Sequence, residues 1–422
     1  MANTFSKEER VAFEDMVEGF DDALVLSRNV NKYNTDMKQM ERSSDTIWRP
    51  VPYIATSIDG PAGTDITSSF TDVGQLSVPS SITNNKTVPW TMNALELRDA
   101  LQNDRFGKAA AQKLASDVNV SVLDAITDQG TLVVTKASAA SAFSDVAAIE
   151  KMMNEQGIPM RDRYLAMSTG DYNGLAGDLA GRGTLQPPKT LKAYEEAYVG
   201  SVSGFDTYKL DYSNSLTLDA MTTIVVNGAN QRHVPLTQSS GANYDNREQT
   251  LAITATSGTV KVGDCITIAG VNAVHHITKV DTGVLKTFRI TEIVSGGGST
   301  GNIKISPPII AADSSPTDIE LQYKNVTAAP ADTAAITPLN IATAKMNPFW
   351  FKDAIEILPG RLSIDTGAGV DVMNSVTPQG LVLTLSKQWA IGSNKMFFRL
   401  DCLWGVTVLN PEMCGIALFS QT

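Results

Sequence analysis

The residue types that usually carry chemistry are scarce here. The chain has three histidines, His233 and the adjacent His275 and His276, and three widely separated cysteines, Cys265, Cys402 and Cys414. A zinc centre needs such ligands to converge at short spacings, and the sequence holds neither HExxH nor a CxxC pair. If His275 and His276 lie in a strand they face opposite sides, so at most one joins a common ligand set. The run Gly296-Gly297-Gly298-Ser299-Thr300-Gly301 satisfies GxGxxG on paper. That fingerprint works by leading into a helix whose N–H groups hold a pyrophosphate. Here it leads into Asn302-Ile303-Lys304-Ile305-Ser306, which is strand text, so a hairpin connection is expected. No phosphate loop of the GxxxxGK[ST] type occurs. The acidic pairs Asp21/Asp22 and Glu195/Glu196 fit a helix surface better than a paired acid and base. The sequence calls for no enzyme, no metal and no cofactor.

Bulk properties narrow the class further. A net charge of −11 argues against a chain-wide surface for nucleic acid or anionic membrane. No apolar run reaches the roughly 20 residues of a membrane helix. The opening MANTFSKEERVAFED lacks the basic and apolar regions of a secretory signal. A soluble protein of a reducing cytoplasm, with buried thiols, is the expectation. At 422 residues the chain calls for two or three packed units.

The longest helical pattern runs from Asn93 to Gly130. Ala110, Leu114, Val118, Val122 and Ile126 recur every four residues and make one apolar stripe. Asn93 and Glu96 form a capping-box pattern, and Gly130 supplies a left-handed stop. Asn103, Asp104 and Gly107 weaken the middle, which predicts a short helix to about Gln102 and a long one from about Asp104. Before it, residues 7–30 read as an amphipathic helix on Val11, Phe13, Met16, Val17, Phe20, Leu24 and Leu26. Its polar side is acidic, with Glu8, Glu9, Glu14, Asp15, Glu18, Asp21 and Asp22 against Lys7 and Arg10. From Arg49 to Trp90 prolines and glycines replace helical period, as in an arm reaching over a neighbour.

After the spine comes a strand at 131–135. Mixed α+β text follows, with helices at Phe143–Gln156 and Leu191–Tyr198, a strand at Arg163–Met167, and Gly-rich turns at Gly170–Gly183. Near Thr222 the text becomes all strand: TIVVNG, TLAITATSG, DCITIAG, HHITKV, TFRITEIVS, NIKISPP and IELQYKNV. That predicts a small antiparallel barrel or sandwich, closed off by a linker at Ala328–Ala335. Mixed text resumes after Met346. An all-β module therefore interrupts an α+β one.

The run Met40-Glu41-Arg42-Ser43-Ser44-Asp45-Thr46-Ile47-Trp48, followed by Pro50-Val51, resembles the corresponding segment of the phage P22 coat protein family. Further blocks sit in similar order: Lys32-Tyr33, Lys113-Leu114-Ala115, Gly130-Thr131-Leu132-Val133-Val134, Gly204-Phe205-Asp206, Val262-Gly263-Asp264, Asn347-Pro348-Phe349-Trp350 and Leu403-Trp404-Gly405-Val406. Each block is weak alone; their order along the whole chain is specific.

The resemblance implies an α+β, HK97-like major capsid fold with an inserted antiparallel β-barrel. It divides the chain into an N-arm helix (1–40), an E-loop with flanking strands (41–92) and a P-domain with the spine helix (93–135). The A-domain follows (136–221), then the inserted I-domain (222–343), and residues 344–422 return through the A-domain to the P-domain. It implies a major capsid protein of a tailed double-stranded DNA phage, found in the virion capsid and assembled in the host bacterial cytoplasm. Partners would be copies of itself in pentamers and hexamers, a scaffolding protein, a portal protein, and packaged DNA enclosed without sequence-specific binding; no membrane is involved. By the same resemblance Glu14, Asp15 and Glu18 would meet a basic helix-turn-helix of the scaffolding protein. An I-domain loop at about Thr237–Arg247, with Tyr244, Asp245 and Arg247, would touch the neighbouring capsomer. Two other readings are a cellular nanocompartment shell of the same fold, which would lack the barrel insertion, and a cytoplasmic enzyme with an unrecognised site.

Overall fold

The computed structural model describes residues 7–33, 46–51, 65, 67, 70, 74–93, 96, 100–181, 187–237, 243–312, 316–362, 364 and 369–422. The block at residues 40–45 and much of the Pro-rich arm, at 52–64 and 71–73, lie outside them. The chain divides into two compact units. One is drawn from Met1–Ile47, Pro79–Ala125 and Ile355–Thr407, the other from Trp48–Val78, Ile126–Ala354 and Val408–Thr422.

In the first unit the opening helix is Lys7–Ala23. Phe13, Met16 and Phe20 recur at helical spacing and are buried, whereas Val11 is exposed. The helix stops well short of residue 30. Asn119 explains why: its Nδ2 donates to the Ala23 carbonyl at 2.9 Å and its Oδ1 accepts from Leu26 N–H at 3.2 Å. This amide satisfies groups that another helical turn would have used, and a short 3₁₀ turn at Ser27–Asn29 follows.

The spine is one helix, Ala100–Gln129, 30 residues and about 45 Å long. The stripe of Ala110, Leu114, Val118, Val122 and Ile126 is buried as its spacing requires. Asn93 and Glu96 make the reciprocal bonds of a capping box, Glu96 N–H to Asn93 Oδ1 and Asn93 N–H to Glu96 Oε2, each at 2.9 Å, but they stand ahead of Ala100, the first residue of this helix. Two expectations fail. No break occurs at Asn103–Gly107, because Gly107 is where the first helix packs. A Cβ there would lie 1.9 Å from Met16 Cε and 2.5 Å from its Sδ. Gly130 follows the helix but is not left-handed; it is small because a Cβ would stand 2.7 Å from the Ile126 carbonyl and 3.0 Å from Gly415 Cα. A six-stranded sheet completes this unit. It is built on the long strand Lys395–Val408, flanked by Val382–Ala390 and Asn84–Asn93 in antiparallel register.

The second unit holds a mixed six-stranded sheet and a closed barrel. In the sheet Leu132–Thr135 runs parallel to Cys414–Leu418, and Arg163–Ser168 parallel to Phe205–Leu210. The nearly continuous apolar text of Asn347–Phe351 and Cys414–Leu418 matches their complete burial. Gly170–Gly183, read as turns, is mostly the helix Thr169–Gly181; residues 182 and 183 lie outside the described set.

Six antiparallel strands close the barrel, in the order Ala220–Val226, Gln249–Thr259, Gly301–Ser306, Asp281–Ile293, Cys265–Val274 and Ala335–Pro338. Ile224, Val226, Leu251, Ile253, Ile266, Ile268, Phe288, Ile290, Ile303 and Ile305 fill it. The Gly296–Gly301 run connects two of these strands as a hairpin, as expected. Two strand expectations and one linker expectation are corrected. His275-His276-Ile277-Thr278 belongs to a turn, and Asp318–Tyr323 is a helix whose Thr317 and Glu320 cap each other. Ala335, read as the end of a linker, opens the closing strand, with Ile336 opposite both Ile224 and Ile268.

Filling the contact at Gly107 tests the first-helix packing. Gly107→Val is expected to cost about 1–3 kcal/mol by overpacking against Met16, read from the urea midpoint of the unassembled chain. A midpoint equal to wild type would show that the methionine absorbs the branch without cost.

Candidate assembly surfaces

Burial sorts the first helix into two faces. With Phe13, Met16 and Phe20 inward, Glu14, Asp15 and Glu18 all fall on the exposed side. They occupy positions i, i+1 and i+4, so their carboxylates form one patch, with Asp22 a turn further on. Three other acids of this helix are engaged within the unit, Asp22 among them with Arg28 Nη2 at 3.7 Å. Glu9 binds Lys387 Nζ at 2.8 Å, and Asp21 binds Arg28 Nη2 at 2.9 Å. Glu14, Asp15 and Glu18 have no ion-pair partner among the described residues.

In the second unit the loop before Gln249–Thr259 is held by a residue the sequence did not single out. Asn246 is buried; its Oδ1 accepts from Leu236 N–H at 2.9 Å, and its Nδ2 donates to the Leu236 carbonyl at 2.9 Å. His233 Nε2 lies 3.2 Å from the same Oδ1, and burial pulls that imidazole below its ordinary pKa. Asp245 and Arg247 grip each other, with Nη2–Oδ2 at 2.7 Å and Nε–Oδ1 at 3.0 Å. Arg247 Nη1 also donates to the Val408 carbonyl at 2.9 Å. Of the three loop residues singled out, Tyr244 alone has no side-chain pairing among the described residues, and it is 39% exposed. Residues 238–242 of the loop lie outside the described set.

Polar contacts fasten the barrel to the sheet of the same unit. Lys286, 2% exposed, places Nζ 2.7 Å from Glu412 Oε1 and donates to Gln156 Oε1 at 3.2 Å. Asn325 Nδ2 donates to the same Glu412 oxygen at 2.8 Å, and Thr287 Oγ1 donates to the Thr131 carbonyl at 2.7 Å. Burial pushes the Glu412 carboxyl up, but Lys286 with its hydrogen bond and the one from Asn325 outweigh it, so the group sits below its ordinary value. Lys286 and Glu412 stand 126 positions apart and carry no sequence signal.

A family model for the P22 coat protein, gene protein 5, matches residues 1–420. The chain belongs to the P22 coat protein family. It is a major capsid protein of a tailed phage, with the α+β, HK97-like fold and a closed barrel, and it assembles into the shell of the virion. Solved structures similar to this coat protein include that of Mycobacterium phage Che8, at 10% identity and TM-score 0.46, covering 93% of this chain and 90% of that one. The head of Helicobacter pylori bacteriophage KHP40 matches at 8% identity and TM-score 0.43, over 94% and 88%. The I-domain of the CUS-3 coat protein matches at 38% identity and TM-score 0.23, over 28% of this chain and 96% of that one.

The adjacent histidines of this coat protein serve its turn. His275 Nδ1 accepts from the Thr278 and Ile277 N–H groups at 3.1 and 3.3 Å, and His276 N–H donates to the Gln156 carbonyl at 3.0 Å. Burial lowers the His276 pKa from 6.5 to about 4, against the pull of Glu412. The unfolded chain therefore binds a proton between those values that the folded one does not. Stability from this group is fully present above about pH 6.5 and is lost as pH falls toward about 4. Denaturation midpoints of the coat protein are expected to fall over that window, and His276→Asn to flatten the slope. Parallel profiles for the two proteins would assign the slope to other groups.

Proposed function

We propose that this subunit polymerises around a scaffolding protein into an icosahedral precursor shell of pentamers and hexamers. The shell forms in the host bacterial cytoplasm and expands as double-stranded DNA enters through a portal protein. The exposed ridge of Glu14, Asp15 and Glu18 carries this reading. Three uncompensated carboxylates on one face suit a basic partner segment, and their exposure keeps each contact weak and salt-sensitive. The net charge of −11 supports the rest: a shell without strong basic surface lets packaged DNA slide instead of sticking.

On the same reading residues 1–40 are the N-arm, 41–92 the E-loop, 93–135 the P-domain, 136–221 the first part of the A-domain, 222–343 the I-domain, and 344–422 the A-domain return and the C-terminal strands of the P-domain. The loop at residues 237–247 touches the neighbouring capsomer through Tyr244, while Asp245 and Arg247 brace it from within by their mutual ion pair.

Co-sedimentation of the subunit with its scaffolding protein tests the ridge. Reversing charge with Glu14→Lys, Asp15→Lys and Glu18→Lys together is expected to weaken binding at least about tenfold, from several exposed pairs lost and replaced by repulsion. Wild-type binding should weaken as salt rises. Equal binding by wild type and variant, or no salt dependence, would remove the acidic ridge as the contact.

A further inference from the structure

One cation of the second unit is buried without a counter-charge. Arg289 lies in the barrel strand Asp281–Ile293 between Phe288 and Ile290, both of which fill the barrel core. Strand alternation therefore turns Thr287, Arg289 and Thr291 to the outer face. Arg289 is 2% exposed, yet among the described residues its Nε and Nη1 have no hydrogen-bond partner. Its Nη2 meets only the weak acceptor Met346 Sδ, at 3.7 Å. No carboxylate of the described residues pairs with it. Thr291 Oγ1, two positions along the same face, also lacks a partner. Ser306 stands directly across the ladder from Arg289.

These three residues line a single open cavity of about 390 Å³, with Arg247, Gly263 and Pro411 also in its wall. Two acids, Asp128 and Glu248, also reach it, but both are exposed. Glu248 already has Lys304 Nζ at 3.9 Å. The field of Arg289 is felt by its neighbours. Burial pushes the Cys265 thiol up and the Cys414 thiol up to about 12, and the guanidinium opposes both shifts.

We propose that this cavity binds a small oxyanion, with Arg289 as the charged donor and Thr291 and Ser306 as its neutral partners. Guanidinium cannot shed its proton to escape burial, and its planar fork matches an oxyanion edge with two parallel N–H groups. Water in the cavity would satisfy donors but leave the charge uncompensated. The cavity is large enough for an anion together with several waters, each taking about 30 Å³. Free inorganic phosphate is the occupant assigned.

The test uses the unassembled full-length chain at constant ionic strength, with phosphate replacing chloride. Equilibrium dialysis with radiolabelled phosphate is expected to show saturable uptake of about one equivalent, and the thermal midpoint to rise with phosphate as binding to the folded state requires. Arg289→Gln should abolish both effects. Thr291→Val keeps the side-chain shape on the outer face and should weaken uptake on the order of tenfold; it carries the test if the arginine variant does not fold. No saturable uptake by wild type overturns the site, and a water-filled cavity or a neighbouring subunit's carboxylate then accounts for Arg289. Equal uptake by wild type and Thr291→Val, or equal midpoint shifts in wild type and Arg289→Gln, overturns it as well, leaving a general ion effect.

Discussion

A barrel that closes on its own core leaves little apolar surface with which to hold the sheet it grows from. The Lys286–Glu412 pair answers that constraint in the second unit. Apolar contact there narrows to a small cluster in which barrel Cys265 meets Val133, Met346, Ile416 and Leu418. Around it the join is polar: Lys286 and Asn325 converge on Glu412, and Thr287 reaches the Thr131 carbonyl. A hydrophobic join would tolerate sliding, whereas convergent hydrogen bonds on one carboxylate fix a single orientation. Such a pair adds little net stability against an apolar replacement, so orientation is the better account of its presence. The same carboxylate lies among His276, Lys279 and Lys286, and it is there that burial sets His276 near 4 and Lys279 near 8.

Periodic text gave the architecture away wherever one face met a core. The spine stripe, the alternating Leu251 and Ile253, and the solid apolar run at Asn347–Phe351 each state their burial through side-chain spacing alone. Local chemistry was equally legible at Asn93 and Glu96, whose capping box needs only residues three apart. Failures came where a distant residue decided the outcome. Asn119 ends the first helix from 96 positions away, and Met16 converts Gly107 from a weak point into a contact. Apolar alternation in IELQYKNV matched a strand, but Thr317 just ahead of it supplied a helix cap that the pattern did not weigh. The His275-His276 turn follows from His275 Nδ1 accepting two backbone N–H groups, a bond invisible to period counting.

The candidate surfaces were legible in part. Glu14, Asp15 and Glu18 emerge on the exposed face because Phe13, Met16 and Phe20 fix which face is buried. In the loop, residue type was not enough. Asp245 and Arg247, expected at a contact with a neighbour, also bind each other across one residue, and Asn246 between them clamps the loop base. Sequence marks such residues as polar without saying which way they point.

That distinction bears on how a shell can form and still rearrange. Charges that fix the subunit are paired and largely buried, as at Lys286–Glu412, where breaking one partner is costly. Charges on the first-helix ridge are exposed and uncompensated, and an exposed pair contributes only about 0–1 kcal/mol. On the proposed reading, one contact of that size with a basic scaffold segment is weak, but repeated over the many equivalent positions of a closed symmetric assembly such contacts add up. Their weakness has a use, since a misplaced subunit can leave before its neighbours trap it. A frame held by buried pairs such as Lys286–Glu412 and an exposed charged ridge answer different demands, the one on orientation and the other on exchange.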